Sequence, residues 1–591
     1  MLYQAPIADI AFTLKHAAST DADRIAPDLD DETVRSVLTQ AGRFAEEVIA
    51  PLDQPGDRHG ARFQDGRVTT APGFKEAYRA WSAAGWNGLS APEQWGGQGL
   101  PVAVNAACME MWNSAAMAFG LAPVLTIAGV NTLAQYGSDA LKRIYLPKLV
   151  SGEWTGTMLL TEPDAGSDVG ALRTRAERAG DGTYRLFGQK IFITYGDHDM
   201  ADNIVHFVLA RIPGAPPGTK GISLFLVPKH LVGADGAPGV RNDIVAQGIE
   251  HKLGLHGSPT CTMALGENGG AVGYLIGEEN RGMAVMFTMM NEARLVVGVQ
   301  GVAVAEAAAQ RAMAYARERR QGRAAGGAPG DSVPIMVHPD VRRMLMSMRA
   351  LTNSARAVCY STAAAIDRSR HGPEQARRAA GERAALLTPV AKAYATDVGV
   401  EVANLGIQVH GGMGYVEASG AAQHFRDARI TQIYEGTNGI QAIDLVTRKL
   451  PMSGGDAVHA YLDDLRATID AVARENHPAF GATADSLGRS LECLARTTTW
   501  MMDRLDREAD AALAGATPYL RLFGLTAGGC LLAGEGLTEL REANGAFDET
   551  SRRVAIARFF AEHLAVQADG LERTIVDGAG ALLHGADKVL D

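Results

Sequence analysis

Cysteine is scarce in this chain. Its 591 residues include five, Cys108, Cys261, Cys359, Cys493 and Cys530, an odd number spread widely with no Cys-x-x-Cys pair. That excludes a disulfide framework and leaves no signal for structural zinc, so a reducing, cytoplasmic compartment is expected. Positive charge is also short, 56 Lys+Arg against 67 Asp+Glu for a net charge of −11. Phosphate recognition needs clustered positive charge, which argues against broad nucleic-acid binding. The opening MLYQAPIADIAFTLKH has no basic start followed by an apolar run, so no secretory signal is read and the mature chain is expected to begin here. Long hydrophobic runs are few. Met111 to Ser138 carries no charge and exceeds the roughly 20 residues needed to cross a bilayer. It is interrupted by Asn113, Gly120, Pro123, Gly129, Asn131 and Gln135. Two buried helices joined by a Gly/Pro turn account for it, so no transmembrane segment is expected. There is no internal repeat.

What is present is ample chain, 47% hydrophobic, with a length that implies about four domains. After an N-terminal extension (1–30), apolar residues recur at helical spacing, as in Val34, Val37, Leu38 and Ala41, which predicts an α-helical domain over 31–156. Short β-branched or aromatic runs such as TYRLFGQKIFIT and GISLFLVPKHL, separated by turn residues, predict a β domain over 157–275, a small barrel or sandwich. Helical spacing returns near 282–323, 337–370, 382–408 and 427–447, the count for a four-helix bundle within 276–450, with the loop RAAGGAPGDSVP between the first two. Residues 451–591 read as an appended helical domain. The fold class is therefore α+β and multidomain. The appended domain holds 13 Lys+Arg against 22 Asp+Glu, most of the chain's acidity, and suits no phosphate-binding role.

Three constellations could carry chemistry. In Met158-Leu-Leu-Thr-Glu-Pro-Asp-Ala-Gly-Ser-Asp168, Pro163 and Gly166 force a tight turn, and Thr161, Ser167 and the turn N–H groups are donors for a polar ring edge or a phosphate. In Gln189-Lys-Ile-Phe-Ile-Thr194, Phe192 could face a flat ligand while Thr194 donates to it. Taken alone, an ordinary turn and a strand burying alternate residues explain these two as well. The third is Gln408-Val-His-Gly-Gly-Met-Gly-Tyr415 with Arg426-Asp-Ala-Arg-Ile-Thr-Gln-Ile-Tyr-Glu-Gly-Thr-Asn-Gly-Ile-Gln441. Its paired glycines allow close backbone approach to a ligand. Glu435 sits among Ile433, Tyr434 and Gly436, an apolar setting that raises a carboxyl towards a useful general base, although a helix-start acid would look the same.

Together, MLLTEPDAGSD, GQKIFIT, MMNEARL, QVHGGMGY and RDARITQIYEGTNGIQ, in this order from about Asp31 to Leu450, resemble the acyl-CoA dehydrogenase family. The N-terminal segment, with its YQAPIADIAF opening, and the helical tail resemble the long branch that includes 3-methylmercaptopropionyl-CoA dehydrogenases and bacterial fatty-acyl relatives. The resemblance implies FAD, bound without a Gly-x-Gly-x-x-Gly fingerprint. It places Met158, Leu160, Thr161, Gly166 and Ser167 against the flavin and pyrophosphate, with Ser167 also near the acyl-CoA. Phe192, where the family usually has Trp, Ile193 and Thr194 are implied at the flavin ring. Arg319, Gln408, Gly411, Gly412, Thr437 and Gly439 are implied to hold FAD, partly across a subunit interface. Asn291, Arg294, Glu435 and Gly436 are implied to contact the acyl-CoA. Glu435 is implied to be the base that takes the α-proton while a hydride passes to flavin N5, giving the trans-2-enoyl-CoA in a fatty-acid β-oxidation type of reaction.

Some relatives carry the base just before the Arg matched by Arg294, but that residue here is Ala293, and Glu292 is read as a solvated helix carboxylate. The family's Thr/Gln-Phe-Gly after Arg319 is replaced by Arg320-Gln321-Gly322, and His338 is followed by Pro339 where many relatives have Gln. The resemblance further implies an electron-transfer flavoprotein as acceptor, and the appended domain implies a homodimer. An acyl-CoA oxidase is a rival reading, as is a DNA-binding flavoprotein of this fold, which the acidic tail opposes.

Overall fold

The structure, a computed structural model, describes residues 3–18, 30–324, 332–543 and 551–590, so most of the RAAGGAPGDSVP loop lies outside the described residues. Helix α1 (Ile7–Ala18) buries Ile10 and Leu14. Helix α2 (Asp31–Phe44) starts where Asp30 accepts from the Thr33 N–H at 2.7 Å, satisfying one donor that a helix start leaves free. Helices α3 (Asp53–His59), α4 (Phe74–Ala83), α5 (Val102–Tyr136) and α6 (Asp139–Ser151) complete the first helical region, with a hairpin of β1 (Arg62–Gln64) and β2 (Arg67–Thr69).

The uncharged run lies in α5, which is buried almost all round. The sequence predicts a break at Gly120 or Pro123. The chain instead stays helical through both and breaks at Ala116 (φ −160°, ψ 99°). A Cβ on Gly120 would lie 2.6 Å from Asn113 Oδ1, so Gly120 serves close approach across the break rather than a turn.

Strands β3 (Trp154–Leu159), β4 (Arg175–Arg178), β5 (Tyr184–Thr194), β6 (Asn203–Arg211), β7 (Ile222–Pro228), β8 (His230–Val232), β9 (Pro238–Arg241), β10 (Ile244–Ile249), β11 (Thr260–Leu265) and β12 (Ala271–Ile276) build the middle region. The main sheet runs β10-β11-β5-β12-β7-β6-β3, with β3 parallel to β6 and the other neighbours antiparallel. Strand β4 pairs with β5 and touches β6 at Arg175↔Arg211, which closes a small barrel. Strand β5 serves both halves, pairing Tyr184–Leu186 with β12 and Gly188–Thr194 with β11.

Helices α7 (Gly282–Glu318), α8 (Pro339–Arg368) and α9 (Glu374–His410) form the long members of the bundle. Among the described residues, helices α5 and α7 are the two long and apolar enough to cross a membrane, and 89% and 61% of their apolar windows are buried inside the protein. A Cβ on Gly301 would lie 2.3 Å from the Ala395 carbonyl oxygen, so α7 and α9 meet backbone to backbone. The predicted fourth helix over 427–447 is not continuous. It divides into α10 (Ala421–Ala428) and α11 (Asn438–Asp444), because Glu435 (φ +55°) and Gly436 (φ +86°) are both left-handed and cannot continue a right-handed helix. Thr437 then accepts from the Ile440 N–H at 3.2 Å and starts α11.

Between the first region and the bundle lies a buried ion cluster. Arg356 on α8 reaches Glu110 on α5 at 2.6 Å and Glu306 on α7 at 2.8 Å, Arg349 reaches Glu306 at 2.9 Å, and the Tyr360 hydroxyl donates to Glu110 at 2.6 Å. The appended region comprises α12 (Asp456–Glu475), α13 (Thr483–Arg507), α14 (Ala509–Ala514), α15 (Ala516–Glu542), α16 (Arg552–His563), α17 (Ala568–Asp577) and shorter turns. Helix α15 lies on α8 and α9 with Gly524 against the Tyr394 ring, where a Cβ would sit 2.4 Å from the ring. Helix α1 joins the two ends of the chain. Asp9 pairs with Arg552 and Arg553, and the Arg553 guanidinium stacks 3.8 Å over the Phe12 ring.

Candidate active site

The turn after β3 is fixed by a buried pair that sequence reading passed over. Glu162 is buried and accepts from the Arg173 and Thr174 N–H groups at 2.6 and 3.1 Å and from Lys190 Nζ at 2.8 Å. Lys190 also donates to the Leu160 carbonyl at 2.9 Å. Burial pulls the lysine down to about 8 despite its partner, and although burial opposes it, Lys190 holds the Glu162 carboxyl below the usual range. Both residues stand inside motifs already quoted, Glu162 in the turn after β3 and Lys190 on β5, and nothing in their local sequence pairs them. The pair ties residues 160–162 to β5, as do the Thr161 carbonyl, which accepts the Ile191 N–H at 3.0 Å, and the Thr157 hydroxyl, which donates to the Thr194 carbonyl at 2.7 Å. Met158, Leu160, Thr161, Ile193 and Thr194 are thereby brought together.

Phe192 is 59% exposed and left-handed (φ +60°), an uncommon backbone for an aromatic residue. Gly166 and Ser167 are exposed in the turn, and nothing lies within 4 Å of where a Gly166 Cβ would be. An open aromatic face beside strand ends and an unobstructed turn is what a flat heterocycle carrying a diphosphate requires, so these residues fit a flavin nucleotide.

Glu435 occupies the turn between α10 and α11, partly buried. Burial raises its carboxyl above the ordinary range, opposed by the charges of Arg294 and Lys392. The turn is clamped on both sides. Lys392 Nζ donates to the Gly436 carbonyl at 2.8 Å and to Asn438 Oδ1 at 2.9 Å, and Asn438 Nδ2 donates to Asp397 at 2.7 Å. Asp397 also accepts from Gln432 at 2.7 Å, and the Tyr434 hydroxyl donates to Gln300 Oε1 at 2.5 Å. A left-handed Glu costs on the order of 1–3 kcal/mol and persists only where its surroundings over-determine it. Among the described residues no acceptor takes the Glu435 N–H, and two buried polar atoms beside the turn, Arg294 Nε and Gln441 Oε1, also lack partners. The Glu435 N–H and Arg294 Nε, free donors beside a raised carboxyl, suit a ligand carbonyl, whereas Gln441 Oε1 can only accept.

Arg294 is buried on α7, 3.8 Å from Asp444, while Asn291 is exposed one turn earlier. Glu292 is not solvated as its sequence suggests. It accepts from Asn131 at 2.5 Å and Arg370 at 3.0 Å, and burial raises its carboxyl. The reason is the closeness of α5 and α8, which the spacing of α7 alone does not report.

The remaining predicted residues form a separate group. Gln408, Gly411 and Gly412 are exposed at the C-terminal end of α9, where Gly411 (φ +58°) ends the helix. Stacking of Tyr315 on His410, centroids 4.4 Å apart, brings exposed Arg319 to the same end. Lys392 and Gln408 are 16 residues apart on one helix, or roughly 24 Å at 1.5 Å per residue. Arg319 and 408–412 therefore do not share the Glu435 pocket, whereas Thr437 and Gly439 adjoin it.

Comparison with known proteins bears on the family and the fold. Residues 31–153, 157–267 and 280–450 match the family profiles described as acyl-CoA dehydrogenase N-terminal, middle and C-terminal domains, and 461–584 match one described as acetyl-CoA dehydrogenase C-terminal like. The 3-methylmercaptopropionyl-CoA dehydrogenase of Ruegeria pomeroyi is 44% identical over 588 residues, 99% of each chain. Two solved structures share the fold. Caenorhabditis elegans ACDH-11 in complex with C11-CoA has a TM-score of 0.78 at 21% identity, covering 97% of this chain and 95% of that one. An acyl-CoA dehydrogenase complexed with FAD from Bacillus anthracis has a TM-score of 0.75 at 20% identity, covering 98% and 93%.

Proposed function

We infer from one premise, that this chain belongs to the acyl-CoA dehydrogenase family, that it introduces a trans double bond between the α and β carbons of an acyl-CoA thioester. The chain is an FAD-binding oxidoreductase acting on acyl-CoA. FAD, when bound, supplies the acceptor for the hydride that leaves the β carbon. The chain's own residues do the rest. The Glu435 carboxylate takes the α-proton, and the free Glu435 N–H donates to the thioester carbonyl, stabilising the charge that develops there. Gly436, left-handed behind it, keeps that donor in line with the carboxylate. Arg294 and Lys392 keep Glu435 ionisable in a buried setting that would otherwise hold it protonated. Met158, Leu160, Thr161, Gly166, Ser167, Phe192, Ile193 and Thr194 hold the flavin end of FAD, Thr437 and Gly439 lie near it, and Arg319, Gln408, Gly411 and Gly412 hold the cofactor at the far end of the bundle. Asn291 and Arg294 take the acyl-CoA.

The observation that carries this reading is the raised, partly buried Glu435 in a clamped left-handed turn. Glu435→Gln should retain FAD yet reduce it with acyl-CoA at least 10³-fold more slowly, the scale of general-base catalysis. Wild-type reduction rates in that variant would overturn the assignment. The 44% identity across both full chains favours 3-methylmercaptopropionyl-CoA among the substrates. Comparing kcat/KM for that thioester and for straight-chain acyl-CoAs tests it. We assign reoxidation to an electron-transfer flavoprotein rather than dioxygen, as in the β-oxidation type of reaction, and stopped-flow reoxidation with each acceptor decides between them. The appended region covers the α8–α9 face through α15, which supports a homodimer, and a tetramer in light scattering would overturn it. All five cysteines are buried and unpaired, in keeping with a cytoplasmic setting.

A further inference from the structure

Lys392 is fully buried on α9, and among the described residues its ammonium touches no carboxylate directly. Its two acceptors are neutral, the carbonyl of Gly436 and the side chain of Asn438. A buried ammonium is a costly way to make two hydrogen bonds that an amide could make. The charge therefore has a use, and the geometry shows where. The carbonyl that Lys392 holds belongs to the residue after Glu435, and Asn438 is itself fixed by Asp397, by Thr396 at 3.0 Å and by the Ala393 carbonyl at 3.2 Å. The left-handed pair is thus anchored to one face of α9, with Lys392 as the only cation in the anchor.

Resting on Glu435 as the base, we propose that Lys392 is a positioning residue that fixes the Glu435–Gly436 turn and supplies, beside Arg294, part of the positive charge against which the carboxylate ionises. The charged groups facing Glu435 are Arg294 from α7 and Lys392 from α9. Arg294 acts on Glu435 more strongly than Lys392 does, but it is also engaged with Asp444, which Arg448 approaches at 2.5 Å, whereas the hydrogen bonds of Lys392 go to the turn itself. Lys392 is faced by Glu435, Asp397 and Arg294. Burial brings it down to about 7, with Glu435 and Asp397 opposing, so its charge responds to that of the base.

The test compares Lys392→Met and Lys392→Arg holoenzymes. In Lys392→Met, the acid limb of the kcat/KM profile, where Glu435 ionises, should move up by about one unit, since losing a nearby cation disfavours the carboxylate. The kcat should fall at least tenfold with KM for acyl-CoA within threefold, while FAD content and melting temperature stay near wild type. Lys392→Arg should return the limb to its wild-type position. If Lys392→Met yields no flavin-containing protein, Lys392→Gln, which keeps an N–H for the Gly436 carbonyl, is read for the same shift. An unmoved acid limb in the neutral variant would overturn the proposal. An inactive Glu435→Gln beside such an unmoved limb would refute the role of Lys392 alone, whereas an active Glu435→Gln would refute the base on which it rests.

Discussion

Removing the guanidinium of Arg356 tests whether the buried ion cluster holds the first helical region to the bundle. Glu110 and Glu306 are essentially unexposed, and Arg356 bridges them from a third helix. Burial alone would raise the Glu306 carboxyl, yet Arg349 and Arg356 outweigh it and hold the group well below the usual range. In Arg356→Met, Glu306 keeps Arg349, but Glu110 keeps only the Tyr360 hydroxyl. Stranding a buried charge in this way costs about 3–5 kcal/mol. Spread over 591 residues at roughly 2.1 cal/mol/K per residue, about 4 kcal/mol lowers Tm by about 3 °C, and by about 5 °C if residues 31–450 melt as one unit.

The sign of the pH dependence follows from the same pair. In the variant the Glu110 carboxylate is buried with no cation beside it, so the folded state takes up a proton as pH falls and the deficit shrinks from pH 8 towards pH 5. Scanning fluorimetry across that range reads both numbers. Adding Glu110→Gln to Arg356→Met should recover part of the loss, because it removes a stranded charge. A Tm change under about 1 °C at pH 8, or a deficit that does not shrink in acid, would refute the reasoning.

Two further substitutions probe the site. Gly436→Ala places a methyl 2.6 Å from Gln441 Nε2 at φ +86°, a strain of about 1–2 kcal/mol, and should lower kcat roughly tenfold; activity within twofold of wild type would show that the turn is not held as described. Lys190→Met leaves Glu162 buried without its cation and frees the Leu160 carbonyl, so flavin retained per chain after gel filtration should fall, more at pH 8 than at pH 6. Full retention at both pH values would separate that pair from cofactor binding.

How far the sequence reports this structure differs from element to element. Alternation in GQKIFIT and helical spacing in MMNEARL placed the right residues on the right elements, because period and burial are local properties. The turn at Glu435 was less legible. Its residues read as part of a helix over 427–447, and only two consecutive left-handed residues, sustained by Lys392 on another helix 43 positions earlier, break it. Glu292 and Glu162 misled or escaped attention for the same reason: their partners, Arg370 and Lys190, lie 78 and 28 positions away. Likewise the α5 break falls at Ala116 rather than at Pro123, and across it Asn113 packs closely on Gly120.

The docking of α1 bears on how the chain comes to be folded at all. Asp9 leaves the ribosome 544 positions ahead of its partner Arg553. At about 5–20 residues per second, that is a wait of roughly half a minute to two minutes. Helix α1 packs chiefly on α8 and α2, which are made well before, but throughout that wait Asp9 has no Arg553 to pair with and the Phe12 ring no guanidinium over it. Helix α1 is consequently not locked in place until α16 exists, and nascent chains halted short of Arg553 should be cut more readily within α1 than the folded protein.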